Sequence, residues 1–424
     1  MSAFPTHGQR MLGASAAVPA HALLMWDIAG IEAARDIQSR KFMAIDLTLL
    51  GSKLIKYRRQ LTESVTDVAG ATGIDASRLN LIEAGKAEPT GDEILILADH
   101  YRCDFNFFIS NDQVAPFEKT ETLYRAHGSD FTKKDRRAVQ DFLYLCETEA
   151  FLMQALDIQT LKFSFQPEGK YFKGHGEKAA ASLREILGYA DRAVPRDIYE
   201  ELRRVGIHVF RRKLGNSKIS GLFIMHPVAG PCALVNLSED VYRQRFSAAH
   251  EMAHAIFDHA HGASVSYERP LQGDMLETRA NRFASCFLMP PKFLENLPSP
   301  DSWTDEKAQH WANELRVNCI ALAIALKEAN LISHENYERI RKLRVHKDSK
   351  IDPELPSSLN EMQRKKKSHL LEIGLSDFYV GLCFDAFSEA VISIGRLAEA
   401  LLCSQSELLE LAHLYGRKLQ NHGH

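Results

Sequence analysis

At 424 residues, with 45% hydrophobic and 25% charged residues, 15 prolines and a formal net charge of -3, the chain has the composition of an ordinary globular protein with room for two or three domains; global disorder and a fibrous repeat are excluded. It has no run of 18 apolar residues and no basic stretch leading into an apolar leader, so a cytoplasmic protein with no membrane partner is expected. The seven cysteines (103, 146, 232, 286, 319, 383 and 403) contain no C-x-x-C pair; buried thiols in a reducing compartment are expected, with neither a disulfide framework nor a thiolate zinc finger.

Residues 1–46 form an N-terminal extension whose one periodic stretch, "IAGIEAARDIQSRKFM", predicts a single amphipathic helix. From Leu50 the pattern changes to short helices with tight punctuation: "GSKLIKYRRQL", "SVTDVAGATG", "DASRLNLIEAGK", "TGDEILILADHY" and "DFNFFI". Five helices in so short a span predict a compact all-α module over 47–112. Residues 113–175 read as a helical connector, with a long amphipathic helix within 123–157 that packs instead of standing in solvent. Two helices, "AAASLREILGY" and "PRDIYEELRRVG", then lead into three β-rich stretches, "IHVFRRKL", "ISGLFIMH" and "CALVNLS". A helix from Arg245 follows directly. Beyond Pro290 and Pro291 the chain returns to helices up to residue 345. "HKDSKIDPELPSSLNEMQRKKKSH" has the content of an exposed linker, and the tail reads as two or three helices with Ser404 as an N-cap. The basic runs "RIRKLRVHK" and "QRKKKSH" read as solvated.

The chemistry sits in "RFSAAHEMAHAIFDH", residues 245–259. Residues four apart share one face of a helix, so His250 and His254 can offer ring nitrogens to one ion. Glu251 lies about 100° round the helix, placed to reach a water instead of the ion. Zinc supplies the activation of that water and the polarisation of a scissile carbonyl, and the carboxylate moves the proton to the leaving amine. Phe246, Ala249, Ala253 and Phe257 form the stripe that buries this helix, where two histidines and a glutamate without a cation would be costly. A third ligand is needed. "GDMLETRANRFASCFLMP" predicts a helix through Leu276, Ala280, Phe283, Ala284, Phe287 and Leu288. Glu277 is favoured because it lies inside the periodic segment; Asp274, the competing candidate, follows Gly273 and reads as a helix cap. His259 and His261, at the helix exit, read as solvent-facing.

"RQRFSAAHEMAHAIFDH", the preceding "ISGLFIMH" and "CALVNLS", and the later "ETRANRFASCFLMPP" together resemble the ImmA/IrrE family of bacterial zinc metallopeptidases over residues 176–345. Carried over residue by residue, the resemblance implies His250, His254 and Glu277 as zinc ligands and Glu251 as catalytic base, in agreement with the physical reading. Met252-Ala253 stands where the family often has Leu-Gly. The stretch "VTDVAGATGIDASRLNLIEAGKAEPT" resembles the Xre/Cro-type helix-turn-helix: Val68 and Ala69, Gly73 and Ile74 at the turn, Leu79 and Ile82, Glu83, Gly85 and Pro89 carry the likeness. Ala69 and Gly73 are expected to let two helices cross closely, with Ile74 filling the corner. The resemblance implies that helix 76–84 enters the major groove and exposes Ser77, Arg78 and Asn80, with Arg78 the candidate for a guanine. Between Gly51 and Asp112 there are 7 Lys/Arg against 10 Asp/Glu, and Val65 stands where the family commonly has Gln, so a protein-docking role for the module competes with DNA binding.

The expected fold class is mainly α with a small α+β domain: an N-terminal all-α helix-turn-helix module, a central zincin-like metallopeptidase domain with a short sheet at 176–345, and a linker with C-terminal helices at 346–424. The resemblance implies a bacterial regulatory zinc endopeptidase acting on a protein substrate, a repressor or antitoxin-like partner, to control a stress, prophage, toxin-antitoxin or defence operon, with operator DNA as second partner and a homodimer compatible with it. Two alternatives are a non-proteolytic regulator whose metallopeptidase-like domain senses a ligand or partner, and a toxin-antitoxin component acting by association. The intact Glu251 favours the enzyme, since a sensor has no need of it.

Overall fold

The computed structural model describes residues 45–111, 124, 128–258, 262–267 and 275–419. The helix expected within residues 28–43, together with His259, His261 and Asp274, lies outside them. Contacts divide the chain into Met1–Asp46 and a second unit, Leu47–His424, which holds everything described below. Among the described residues there are eighteen α-helices and one four-stranded sheet. The protein is therefore mainly α with a small α+β region, as its sequence predicts. None of these helices is long and apolar enough to cross a membrane, and the seven cysteines are free thiols, five of them buried.

The first five helices are α1 (Leu47–Gln60), α2 (Val65–Thr72), α3 (Ala76–Glu83), α4 (Gly91–Tyr101) and α5 (Phe105–Ile109). Their ends follow from local chemistry. Ser64 and Thr90 close capping boxes on α2 and α4, and Asp75 caps α3 through the Ser77 and Arg78 amides. Ile74 is buried at the α2–α3 corner. Gly73 acts by conformation, at φ +73° with open space where a Cβ would point, and so does not serve the close helix crossing expected of it. A close helix approach is found instead between α1 and α3, at Gly51, where a Cβ would lie 2.3 Å from the Glu83 carbonyl oxygen.

α6 (Lys133–Ala155), capped by Thr132, is the packed connector. α7 (Phe172–Ile186) and α8 (Ile198–Arg204) precede β1 (His208–Arg212), β2 (Ile219–His226) and β3 (Gly230–Asn236); α9 (Val241–Phe257) and β4 (Ala263–Tyr267) follow. The strand order is β1-β3-β2-β4, with β1 parallel to β3 and the other two pairs antiparallel. Three strands are legible in the sequence; β4, five residues with two serines, is not.

Alternate residues along the strands feed two cores. Val209, Ala233 and Val235 pack with α7, α8, α9 and α10 (Met275–Leu288). Phe210, Leu222 and Leu234 pack on the other side with Phe142, Leu145 and Cys146 of α6. α11 (Pro291–Glu295), α12 (Asp305–Glu314), α13 (Cys319–Glu328) and α14 (His334–Ile340) follow α10, and α11, α12 and α13 extend the first core through Leu294, Ala308 and Leu322. The break after residue 345 is exposed over most of its length, as its composition predicts, but it is anchored at one point. Asp352 and Glu354 are buried, and Asp352 accepts two hydrogen bonds from Arg211 on β1, at 2.8 and 3.0 Å. Residues 361–372 form α15 (Glu361–Glu372), in which Lys366 and Lys367 pair with Glu410 and Asp377. Three helices complete the tail: α16 (Asp377–Ser388), α17 (Ile394–Ala400) and α18 (Gln405–Leu414), the last capped by Ser404 as its sequence predicts. Tyr379, Phe384 and Leu397 of this tail join the second core.

Candidate metal centre

α9 begins at an Asp240 cap and is fixed along its length by burial. Ala248, Ala249, Met252 and Ala253 are fully buried against the sheet and α10, while Phe246 and Phe257 are partly covered. Arg245 is fully buried, and its guanidinium donates to the backbone carbonyls of Pro195, Arg196 and Arg316. It clamps α9 to the segments that precede α8 and α13. α10 carries the predicted stripe: Ala280, Phe283, Ala284, Phe287 and Leu288 are buried, each phenylalanine contributing about 1.5–3 kcal/mol.

These two helices bring His250, His254 and Glu277 together. The two Nε2 atoms are 3.1 Å apart, Glu277 Oε1 is 3.1 Å from His254 Nε2, and Glu277 Oε2 is 3.3 Å from His250 Nε2. Ligand atoms arranged tetrahedrally around zinc at about 2.0–2.1 Å lie ~3.3 Å apart, so the three separations have the size such an ion requires. The other ring nitrogens are already engaged. His254 Nδ1 is 2.8 Å from Asp258 Oδ2, and His250 Nδ1 is 3.1 Å from Asn281 Oδ1. With acceptors facing both Nδ1 atoms, the proton of each neutral ring sits there and both Nε2 lone pairs point into one space, an arrangement that calls for a cation. The charges agree. Although burial lowers the His254 pKa, Asp258 and Glu277 outweigh it and push the value up to about 10; the two histidines hold Glu277 well below the usual carboxylate range despite its burial.

Glu251 is fully buried, and among the described residues neither carboxylate oxygen has a partner at hydrogen-bond geometry. Burial raises its pKa above the ordinary value, while His250, His254 and the nearby Ser266 hydroxyl pull it down. Its space is provided by β2. A Cβ on Gly221 would lie 2.7 Å from Glu251 Oε1 and 2.8 Å from the Leu234 carbonyl oxygen, beside the register shift between β2 and β4. Gly221→Ala is therefore expected to destabilise the fold by about 1–3 kcal/mol and to displace the Glu251 carboxylate. Metal content should survive, because all three candidate ligands stand on α9 and α10. Thermal unfolding together with metal analysis checks both halves.

Two residues of this centre escape sequence reasoning, although the spacing carries a signal. Asp258 lies four residues beyond His254, and Asn281 four beyond Glu277, each on the face of its neighbour. Asp258 also binds Arg279, whose guanidinium lies over the Phe257 ring at 4.4 Å. Arg279 and Asp258 thereby hold the His254 ring from behind.

In the helix-turn-helix, Ser77 and Asn80 are exposed as expected. Arg78 is not free. It forks onto Glu93, Nε to Oε1 and a terminal nitrogen to Oε2, both at 2.9 Å, and also donates to the Glu88 carbonyl. Arg58 makes the same kind of fork on Glu83, and Lys53 is buried against the Phe107 and Ser110 carbonyls. Acidic residues of the module thus consume part of its own positive charge, a pairing that a count of charges does not show.

The model of a peptidase family described as the IrrE N-terminal-like domain matches residues 202–327, a stretch that contains α9, α10 and all three metal-ligand candidates. A helix-turn-helix model matches residues 54–108. No curated protein matches the chain significantly. The chain thus carries, in one polypeptide, a helix-turn-helix domain followed by an IrrE N-terminal-like peptidase-family domain.

Proposed function

We propose that this chain is a cytoplasmic regulatory zinc endopeptidase, with His250, His254 and Glu277 holding the metal and Glu251 serving as general base. The observation that carries the reading is the buried Glu251 carboxylate, without a partner at hydrogen-bond geometry, one residue from a histidine whose Nε2 faces two further ligand atoms. Zinc held there would supply Lewis acidity toward a water molecule and a peptide carbonyl. The protein's own part is proton transfer: Glu251 takes the proton from water and delivers it to the departing amine. Its raised pKa suits that task, since a base that is too acidic holds a proton poorly. Asp258 and Asn281 orient the imidazoles.

The substrate class this reading favours is a protein, a helix-turn-helix repressor or antitoxin-like partner, whose cleavage relieves repression of a stress, prophage, toxin-antitoxin or defence operon. Co-expression with a candidate helix-turn-helix repressor tests this. A cut that appears in wild type and vanishes in Glu251→Gln supports the reading; an intact partner under derepressing conditions overturns it.

The helix-turn-helix is proposed to bind operator DNA, as a homodimer on paired half-sites, with Ser77, Arg78 and Asn80 facing the major groove. Arg78 must first leave Glu93. Arg78→Ala is expected to weaken operator binding by about 1–3 kcal/mol and relax specificity at one base pair, and Glu93→Gln, which keeps the capping-box partner of Thr90 but releases the guanidinium, to strengthen it. Fluorescence anisotropy at fixed salt distinguishes them; equal affinities for all three proteins would remove Arg78 from the operator contact, and no sequence-selective binding at low salt would assign the module to protein docking.

A further inference from the structure

The cavity at the metal centre has a neighbour. About 400 Å³ in volume, it is lined by His250, Glu277, Phe246, Ile320 and Ile324 among others. A second cavity of about 410 Å³ shares Arg243, Asn318 and Ile320 with it. Leu343, Arg344, Val345 and Lys350 line this second cavity, and they lie beyond the matched residues 202–327.

The chemistry of the two parts differs. Ile320 and Ile324, one turn apart on α13, are each 41% exposed. Exposed isoleucines at this spacing make an apolar wall in the same cavity as two metal-ligand candidates. In the second cavity most charges are satisfied within the chain. Lys350 is paired with Asp240 and Arg243 with Glu239. The exposed Arg344 guanidinium has neither an ion pair nor a hydrogen bond among the described residues. It is the cation left to receive an acidic group.

We infer that the joined cavities form a groove for an interior segment of a polypeptide. It seats a large aliphatic or aromatic side chain against Phe246, Ile320 and Ile324, and an acidic side chain farther along at Arg344. Two joined cavities, each within the roughly 300–1,000 Å³ range of ligand sites, exceed what a single amino acid needs. Ser266, Asn281 and Asn318 add polar groups suited to a peptide backbone. This deepens the endopeptidase reading and rests on it for the identity of the occupant, but binding in the groove needs no cleavage.

The test uses the full chain carrying Glu251→Gln, with and without chelator, and a randomised pool of N-acetylated, C-amidated decapeptides; retained peptides are sequenced by mass spectrometry. Leu, Ile or Phe should be enriched about ten-fold at one position, in line with the discrimination a hydrophobic pocket provides, with Asp or Glu enriched at a fixed spacing from it. The double substitution Ile320→Ser and Ile324→Ser should abolish the apolar enrichment and keep the acidic one, and Arg344→Glu should exchange acidic for basic residues. All three side chains are exposed, so matching unfolding curves can confirm that the variants fold. No enrichment, or enrichment untouched by these substitutions, overturns the proposal. Selection without any cleavage by the zinc-loaded wild type would leave the groove standing and remove the peptidase; cleavage without selection would do the reverse.

Discussion

Glu251→Gln is expected to fold, to bind metal at the wild-type ratio and to lose about 10²–10⁴-fold in hydrolysis, the usual contribution of a general base. The substitution keeps the shape of the side chain in the space beside Gly221 but leaves no group that can accept water's proton. It also removes a buried carboxylate that has no partner at hydrogen-bond geometry. Stability should therefore hold or rise, since an amide costs less to bury than a charge. That combination, a more stable protein with less activity, marks a residue kept for chemistry. The regulatory readout separates the enzyme from a sensor. If Glu251→Gln still regulates normally while His250→Ala fails, the metal site is structural or sensory and proteolysis is not its task.

The sequence makes the metal-ligand candidates legible because their spacing obeys helix geometry: His250 and His254 one turn apart, Glu277 inside a second apolar period. The second face of the sheet is a different matter. It is covered by Phe142 and Cys146 of the connector and by Tyr379 and Phe384 of the tail, segments far apart in the chain whose amphipathic patterns do not name their partners. The anchoring of the linker after residue 345 escapes for a related reason. Its Pro, Ser and Lys content gives no hint that Asp352 would be buried against Arg211, because one long-range ion pair outweighs the local composition. Arg78 shows the same limit in the helix-turn-helix: helical position puts it on the face expected to meet DNA, and Glu93, fifteen residues on, captures it.

The metal itself provides the second large effect. Purified protein should contain about one zinc per chain, and His254→Ala should lose nearly all of it, since two remaining ligands do not make a structural or catalytic zinc site. Asp258→Asn is the graded comparison: the ligands stay, the ring loses its carboxylate, and affinity should fall about 10–100-fold. The pH dependence has a definite sign. In the metal-free protein Asp258 and Glu277 hold the His254 pKa up to about 10 against the effect of burial, so below that pH the ion must displace a proton. Affinity should therefore rise with pH, approaching about ten-fold per unit where His254 is the group that titrates, and level off above pH 10. Calorimetric titration in buffers of different ionisation enthalpy measures the released proton directly. In Asp258→Asn the plateau should move to lower pH, because one of the two carboxylates that favour the imidazolium is gone. Zinc binding that is indifferent to pH, or unchanged in His254→Ala, would place the ion elsewhere in the molecule.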